Sequence, residues 1–458
     1  MKSTHGKNPD KNNRPWRCLI TNEARPTIAD SGLVRGIGRW DFVALFINSI
    51  VGAGIFGLPS RVDALIGPYS ILAYLLCALL VLLIIFCFAE AGSRFTGTGG
   101  PYLYATEAFG PTIGFQVGWL MWLSRVASFA ALANLFVDYL GHFWPLATLP
   151  MPRAAVLSAM TLVFATINVT GVRNGALIAD LFTIGKIVPL ILFVAVGIWF
   201  IEPVNFHVSE VHIDYTSFSA AVFLLVFAFT GFEAAVIPGG EIKDPRRTLP
   251  FGALVAFAII APLYILIQIV CTGTLPGLSE SQRPLSEAAG HFFGSAGGAL
   301  LAATALVSIA GTLNGLMLAA PRILFAMAER SQLPQLMARP QARFRTPHIA
   351  IAATAVVMLV LTLSGSFVGA VAIATLARLT TFAATCAAVP VLRRRYPDQA
   401  VAFRAPGGLF TVVTALILIG WLVTSSSLRE AITVSVALLI GLAIQAAMYC
   451  SARAVRSP

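Results

Sequence analysis

One apolar segment of the sequence reads Asn48-Ser49-Ile50-Val51-Gly52-Ala53-Gly54-Ile55-Phe56-Gly57-Leu58-Pro59. The surrounding apolar run extends from Trp40 to about Ile66, and a helix of about 20 apolar residues crosses the hydrocarbon core of a bilayer. Glycine is a weaker helix former than alanine by about 1 kcal/mol per residue. The segment therefore predicts a membrane helix that breaks at Gly52-Ala53-Gly54 and resumes at Ile55.

A helix break at this depth restricts what can surround it. Each backbone group without a hydrogen bond costs several kcal/mol in hydrocarbon, so the break must line a cavity or meet a ligand. The positive N-terminal end of the second half-helix then suits a carboxylate. The alternative is that the glycines only permit close helix packing. The segment also spells the dinucleotide pattern Gly52-x-Gly54-x-x-Gly57, but it lacks the required strand, and Tyr74 stands where that pattern needs an acid.

The composition is that of a membrane protein. Of the 458 residues, 57% are hydrophobic and 11% are charged, against about 25% charged in soluble domains. Long apolar runs predict an all-α protein, since a β-barrel would show short alternating segments. The six cysteines have no metal or disulfide spacing and resemble small apolar residues, so we expect no metal and no cofactor.

The apolar runs predict about twelve transmembrane segments, two of them broken. They are 40–66 (broken), 69–91, 101–140 (long, either tilted or with an interfacial helix before it), 153–171, 175–200, 217–241 (broken), 250–275, 296–328, 348–364, 368–391, 409–426 and 430–450.

The positive charges test these segments. Of the 31 Lys and Arg residues, 23 fall on the side of the N-terminus, four on the opposite side and four within segments. The positive-inside rule then predicts a plasma (inner) membrane protein with both termini cytoplasmic. Residues 1–36 are expected to form a disordered basic cytoplasmic tail. The net charge of +11 therefore gives no support for nucleic-acid binding.

A second interrupted segment reads Val226-Phe227-Ala228-Phe229-Thr230-Gly231-Phe232-Glu233 and continues to Pro238-Gly239-Gly240. The two broken segments are therefore the first and the sixth of the predicted twelve. The pair indicates two five-helix halves followed by two extra helices. Paired interruptions of this kind mark the binding site of secondary transporters.

Four stretches carry a resemblance to a known family. They are Val51–Pro59; Ser93–Tyr102 with Glu107–Gly110; Phe229–Glu233 with Glu241–Pro250; and Pro321–Ala328 with Leu333-Pro334. With these stretches the chain resembles the amino acid–polyamine–organocation (APC) superfamily, and it is similar to proton-coupled bacterial permeases and to the arginine/agmatine antiporter. The resemblance implies a LeuT-type fold, with a first five-helix repeat at 37–200, an inverted repeat at 217–395 and accessory helices at 409–450.

The resemblance also implies a substrate site at the two breaks. In the family, backbone N–H groups of the first break bind the substrate carboxylate, and carbonyl groups of the second break bind the α-ammonium group. An aromatic gate and an acidic residue accompany the second break. The corresponding substrate-binding residues here are Ile50, Gly52, Ala53, Gly54, Phe227 (the gate), Phe229, Thr230 and Glu233.

Ionisable groups within membrane segments are functional hypotheses by default. Lys186 matches the lysine that proton-coupled relatives carry in place of a sodium ion, and we expect it to couple transport to protons; a structural tether to the first break is compatible with that role. Glu233 is a second candidate proton site or a lid, and alternatively an acid that initiates the second half-helix.

Arg125 departs from the antiporter, which has no arginine in this region. A buried guanidinium needs a partner, and Glu233 or an acidic substrate side chain could supply it. Arg125 would then bind substrate and disfavour cationic ones. The alternative is an arginine that pairs with backbone carbonyls at a helix kink. Arg378 has no specific interpretation.

The sequence thus predicts a secondary active transporter of amino acids, proton-coupled and working by alternating access. An obligate exchanger, such as an amino acid/polyamine antiporter, is the alternative, and a nutrient sensor that binds without transport is a third possibility. The sequence contains no nucleophile–base cluster that would indicate an enzyme. The expected partners are an amino acid or amine, protons and the lipid bilayer. The sequence does not predict an oligomeric state.

Overall fold

The computed structural model describes residues 37–52, 54–95, 99–170, 175–207, 214–237, 242–341, 343–344, 346–397 and 401–454, without the side chains of 175–184 and 451–454. The predicted tail 1–36, Ala53 and residues 238–240 lie outside this part of the chain. Within it the only non-helical pairing is an isolated bridge between Ile37 and Ile242. The predicted all-α class is therefore confirmed.

Fifteen α-helices follow one another along the described residues. They are α1 (Arg39–Ile50), α2 (Gly54–Ile66), α3 (Ser70–Arg94), α4 (Pro101–Phe109), α5 (Pro111–Leu140), α6 (Pro150–Thr170), α7 (Gly175–Gly197), α8 (Tyr215–Phe229), α9 (Phe232–Ala235), α10 (Pro245–Thr274), α11 (Pro284–Glu329), α12 (His348–Ser364), α13 (Phe367–Arg395), α14 (Leu409–Thr424) and α15 (Leu428–Ala454). The predicted segment 101–140 consists of α4 and α5, which meet at Gly110.

Both predicted helix breaks are present. Helix α1 ends at Ile50 and α2 begins at Gly54, which confirms the first break. Helix α8 ends at Phe229, and α9 begins at Phe232 after Gly231, whose φ is +121°. L-residues with a side chain rarely adopt that backbone conformation, so glycine is required there.

The two broken helices cross at their breaks. A Cβ atom on Gly231 would lie 2.1 Å from the Ser49 carbonyl oxygen, and one on Gly54 would lie 2.7 Å from the Ala228 Cα atom. Neither position has room for a side chain. These glycines therefore let two backbones approach each other, so the packing role considered for Gly54 is real.

Helix α5 forms the centre of the bundle and packs against α11, α12 and α13. Its most apolar stretch is 94% buried, whereas the corresponding stretches of α6 and α15 are only 17% and 11% buried. Apolar helices that expose such a large part of their surface have faces suited to lipid.

Eight helices of the described residues are long and apolar enough to cross a membrane, and three shorter apolar helices accompany them. The chain is therefore a multi-pass helical membrane protein, as predicted. The count of twelve spans and the inverted repeats stay predictions.

A buried carboxylate joins three parts of the chain at one end of the bundle. Glu90 on α3 accepts hydrogen bonds from Arg393 Nε (2.7 Å) and Nη2 (2.6 Å) on α13, from Arg94 Nη2 (3.1 Å) and from the Ala405 amide (2.9 Å). We call these residues the Glu90 cluster. They hold the end of α3 to the end of α13 and to the loop that follows it.

Candidate functional site

Lys186 on α7 contacts the end of α1. Its ammonium group donates to the carbonyl oxygen of Val51 at 2.6 Å and to that of Asn48 at 3.0 Å, and the side chain is buried. Both carbonyls lie in the last turn of α1 or just after it, where helix ends leave carbonyls without intrahelical donors. The tether that the sequence suggested is therefore present, and its charge lies at the first break.

Other groups complete the hydrogen bonds of this break. The Ile50 carbonyl accepts from the Gly52 amide at 2.7 Å and from the Tyr264 hydroxyl of α10 at 3.2 Å. A Cβ atom on Gly52 would make only ordinary contacts, at 3.7 Å from the Thr312 side chain of α11. Side chains of α7 and α10 thus donate hydrogen bonds to the carbonyls that the break leaves free. Backbone groups within a membrane need such partners, because no water is available there.

The backbone N–H groups that were predicted to bind a carboxylate differ in their hydrogen bonding. The Gly52 N–H donates within its own turn, and Gly54 begins α2, so its N–H is among the first four, which have no intrahelical acceptor. Ala53 lies outside the described residues. Ile50 is buried beside Gly231 of the second break.

The second break is organised by a carboxylate and a hydroxyl. Glu233 Oε2 accepts the Gly231 N–H at 2.8 Å, which is the helix-initiating contact considered for this residue. Thr230 Oγ1 donates to the Phe227 carbonyl at 3.1 Å and accepts from Arg378 Nη1 at 2.6 Å. Both side chains therefore stabilise the break from inside the protein.

Arg378 on α13 connects this break to α5. Its Nη2 donates to Ser128 Oγ at 2.9 Å, and its Nε lies 3.2 Å from Glu233 Oε1. The guanidinium carbon also stands 5.2 Å from the centre of the Phe227 ring, within cation–π range. Sequence reasoning found no role for Arg378 because its partners lie on three other helices. Its position within a membrane segment was the available signal.

Arg125 on α5 is buried, with 4% of its surface exposed. Its Nε and Nη2 atoms have no hydrogen-bond partner among the described residues. The suggested partner Glu233 instead pairs with Arg378 and caps Gly231. Arg125 nevertheless stands one helical turn before Ser128 on α5, and Ser128 accepts a hydrogen bond from Arg378. We call Arg125, Arg378 and Glu233 the central charge cluster.

The two predicted phenylalanines take different positions. Phe227 faces Arg378, whereas Phe229 packs against aromatic rings of α3 and α10, with the Tyr264 ring at 5.3 Å and the Tyr74 ring at 6.0 Å. Tyr264 also binds the first break. Phe229 thus supports the crossing of the breaks from the α10 side. Among the described residues no group of His, Cys, Asp and Glu could hold a metal ion.

A helical membrane protein with two interrupted helices that cross at buried charges has the architecture of a secondary transporter. The chain matches the family model described as amino acid permease over residues 37–446, so it belongs to that family. The predicted APC resemblance is thereby confirmed, and the chain is a transporter and not an enzyme.

Three relatives show the breadth of the family. The chain is 29% identical to the serine/threonine exchanger SteT of Bacillus subtilis (strain 168), over 90% of this chain and 96% of that protein. It is 27% identical to the methylthioribose transporter of the same organism, over 82% and 84% of the two chains. It is 26% identical to the branched-chain amino acid permease BcaP, also of that organism, over 91% and 94%.

Proposed function

We propose that this protein carries amino acids across the plasma membrane by alternating access and that Lys186 couples this transport to protons. The observation that carries the proposal is the pair of hydrogen bonds from Lys186 to the Val51 and Asn48 carbonyls. Membership of the amino acid permease family and the names of two relatives support amino acids as the substrates.

The substrate would bind where the breaks cross. Backbone groups of Gly52, Ala53 and Gly54 would take its carboxylate, and carbonyl groups near Phe229 and Thr230 would take its ammonium group. Ile50, Phe227, Glu233 and Arg125 would form the walls of this site. Support comes from the contact between the breaks, where Gly231 approaches the Ser49 carbonyl and Gly54 approaches Ala228.

Protonation of Lys186 would control one gate. Charged hydrogen bonds are roughly twice as strong as neutral ones, so the ammonium form would hold α7 against the break. Loss of the proton would weaken both contacts and release α7 from α1. Glu233 is the second candidate proton carrier. A sodium ion beside a charged Lys186 would be repelled, so we expect no sodium dependence.

The test is uptake of radiolabelled amino acids into proteoliposomes with an imposed pH gradient, and with potassium in place of sodium as a control. Lys186→Ala should abolish accumulation driven by the pH gradient while exchange of bound substrate persists. Lys243→Ala is the matched control, because that lysine is exposed. Accumulation with unchanged pH dependence in Lys186→Ala would show that the proton travels elsewhere.

Obligate exchange is the second candidate, favoured by the similarity to a serine/threonine exchanger. An exchanger would take up label only into proteoliposomes preloaded with amino acid, and a pH gradient alone would drive none. A sensor would bind amino acids without uptake in either experiment. The same vesicles therefore separate all three functions.

We also propose that both termini are cytoplasmic, on the strength of the Lys and Arg distribution. Cys450, near the end of α15, is exposed, and four other cysteines are buried. In a Cys18→Ser background, a membrane-impermeant maleimide should label Cys450 only after the cells are permeabilised. Labelling of intact cells would reverse the orientation.

A further inference from the structure

The central charge cluster has an excess of positive charge. It contains two guanidinium groups and one carboxylate, and all three side chains are less than a tenth exposed. Lys186, at the neighbouring break, is a further basic side chain and supplies no counter-charge. A buried charge that lacks a counter-charge is costly, so a cluster of this kind is suited to an anion that arrives with a ligand.

The single carboxylate of the cluster is already engaged. Glu233 Oε2 binds the Gly231 N–H, and Oε1 lies 3.2 Å from Arg378 Nε. Arg378 is further held by Thr230 and Ser128. Arg378 and Glu233 therefore form an ion pair, in which Arg378 Nε makes no hydrogen bond to the described residues. The excess charge of the cluster resides on Arg125.

Arg125 has one edge of its guanidinium group without protein partners. The Nε and Nη2 atoms are buried, and neither donates to any described residue. The N–H bonds of these two atoms point in parallel along the same edge. That fork matches the two oxygens of a carboxylate, which a guanidinium binds with two parallel hydrogen bonds.

Arg125 lies on the face of α5 that approaches the proposed substrate site. Ser128 follows Arg125 by three residues on α5, so the two side chains share a helix face. Ser128 accepts a hydrogen bond from Arg378, which in turn binds Thr230 of the second break. The face of α5 that carries Arg125 thus meets the break at which the substrate would bind.

We propose that Arg125 binds the side-chain carboxylate of the substrate and that this protein carries anionic amino acids of the aspartate and glutamate class. The inference rests on the proposed transport function. The backbone groups of the two breaks bind the amino acid's own carboxylate and ammonium group, which leaves Arg125 for a second carboxylate. Arg378 adds positive potential without being available for binding.

The first test uses the wild-type protein in proteoliposomes. Unlabelled L-glutamate and L-aspartate should inhibit the uptake of labelled L-glutamate about 10- to 100-fold more strongly than L-glutamine and L-asparagine do, the range expected for hydrogen bonds to a charged group. The amides match the acids in shape, so only the charge differs. Equal or stronger competition by the amides would overturn the inference, and it would leave the transport function intact. Failure of every amino acid to bind or be carried would overturn both.

The second test assigns the preference to Arg125. Arg125→Gln should remove the advantage of glutamate over glutamine, and Arg125→Lys should retain part of it, since lysine has the charge without the fork. Arg322→Gln is the matched control, because Arg322 is an exposed arginine of α11. Size-exclusion profiles identify variants that misfold. If Arg125→Gln misfolds, the competition measured with the wild-type protein decides whether the inference holds. Persistence of the full preference in Arg125→Gln would overturn the role of Arg125.

Discussion

The Glu90 cluster and the central charge cluster each contain two arginines and one glutamate, yet they differ in how the charges are matched. Glu90 receives four hydrogen bonds, and Arg393 is 27% exposed, so its remaining surface reaches solvent at the end of the bundle. In the central charge cluster both arginines are buried, and one edge of Arg125 has no partner among the described residues.

This difference separates a structural cluster from a functional one. Four hydrogen bonds on one carboxylate stabilise a fixed joint between α3, α13 and the following loop. Buried donors without partners lower stability, and proteins retain them mainly where a ligand completes them. Stability should therefore depend mostly on the Glu90 cluster, and transport mostly on the central charge cluster.

The largest effect is expected at Glu90. Glu90→Gln would leave Arg94 and Arg393 beside a neutral amide, and breaking a buried ion pair costs about 3–5 kcal/mol. The apparent Tm in detergent should fall sharply, with a matching loss of membrane expression. A variant as stable as the wild type would show that the two clusters do not differ in this way.

A large loss of transport is expected from Gly54→Val. A Cβ atom there would lie 2.7 Å from the Ala228 Cα atom, so the crossing of the two breaks must shift. Overpacking costs roughly 1–3 kcal/mol, which a folded protein can survive, while a displacement of the site should reduce uptake about 100-fold. Gly420→Val on α14 is the matched control, because a Cβ atom there would have no neighbour within 4 Å and the residue lies outside the proposed site. Normal uptake by Gly54→Val would remove the first break from the site.

The smallest effect on stability is expected at Arg125. Arg125→Ala removes a buried charge whose Nε and Nη2 atoms have no hydrogen-bond partner among the described residues, so the free energy of unfolding without substrate should stay within about 1 kcal/mol of the wild-type value or rise. The same variant should admit arginine or agmatine, which the wild type excludes by charge repulsion. Competition assays measure this change. High-affinity transport of arginine by the wild type would contradict it, and loss of folding in Arg125→Ala would make the residue structural.

Much of the framework could be read from the sequence. The glycines at positions 52, 54 and 231 predicted both breaks, because helix propensity is a property of the local chain. The unusual location of Lys186, Glu233 and Arg125 within apolar runs marked them for attention, because buried charge is expensive wherever it occurs. Glu90 was overlooked although Arg94 follows it by four residues, a helical spacing that predicts a pair.

Composition and periodicity along one helix determined that this chain is helical, membrane-embedded, twice interrupted and charged at its centre. Only the tertiary structure decided which charges meet. Glu233 binds Arg378 and not Arg125, and Lys186 binds the Val51 and Asn48 carbonyls. The physical reason is range: propensity and hydropathy act over neighbouring residues, whereas ion pairing depends on which helix faces pack together across more than a hundred residues of chain.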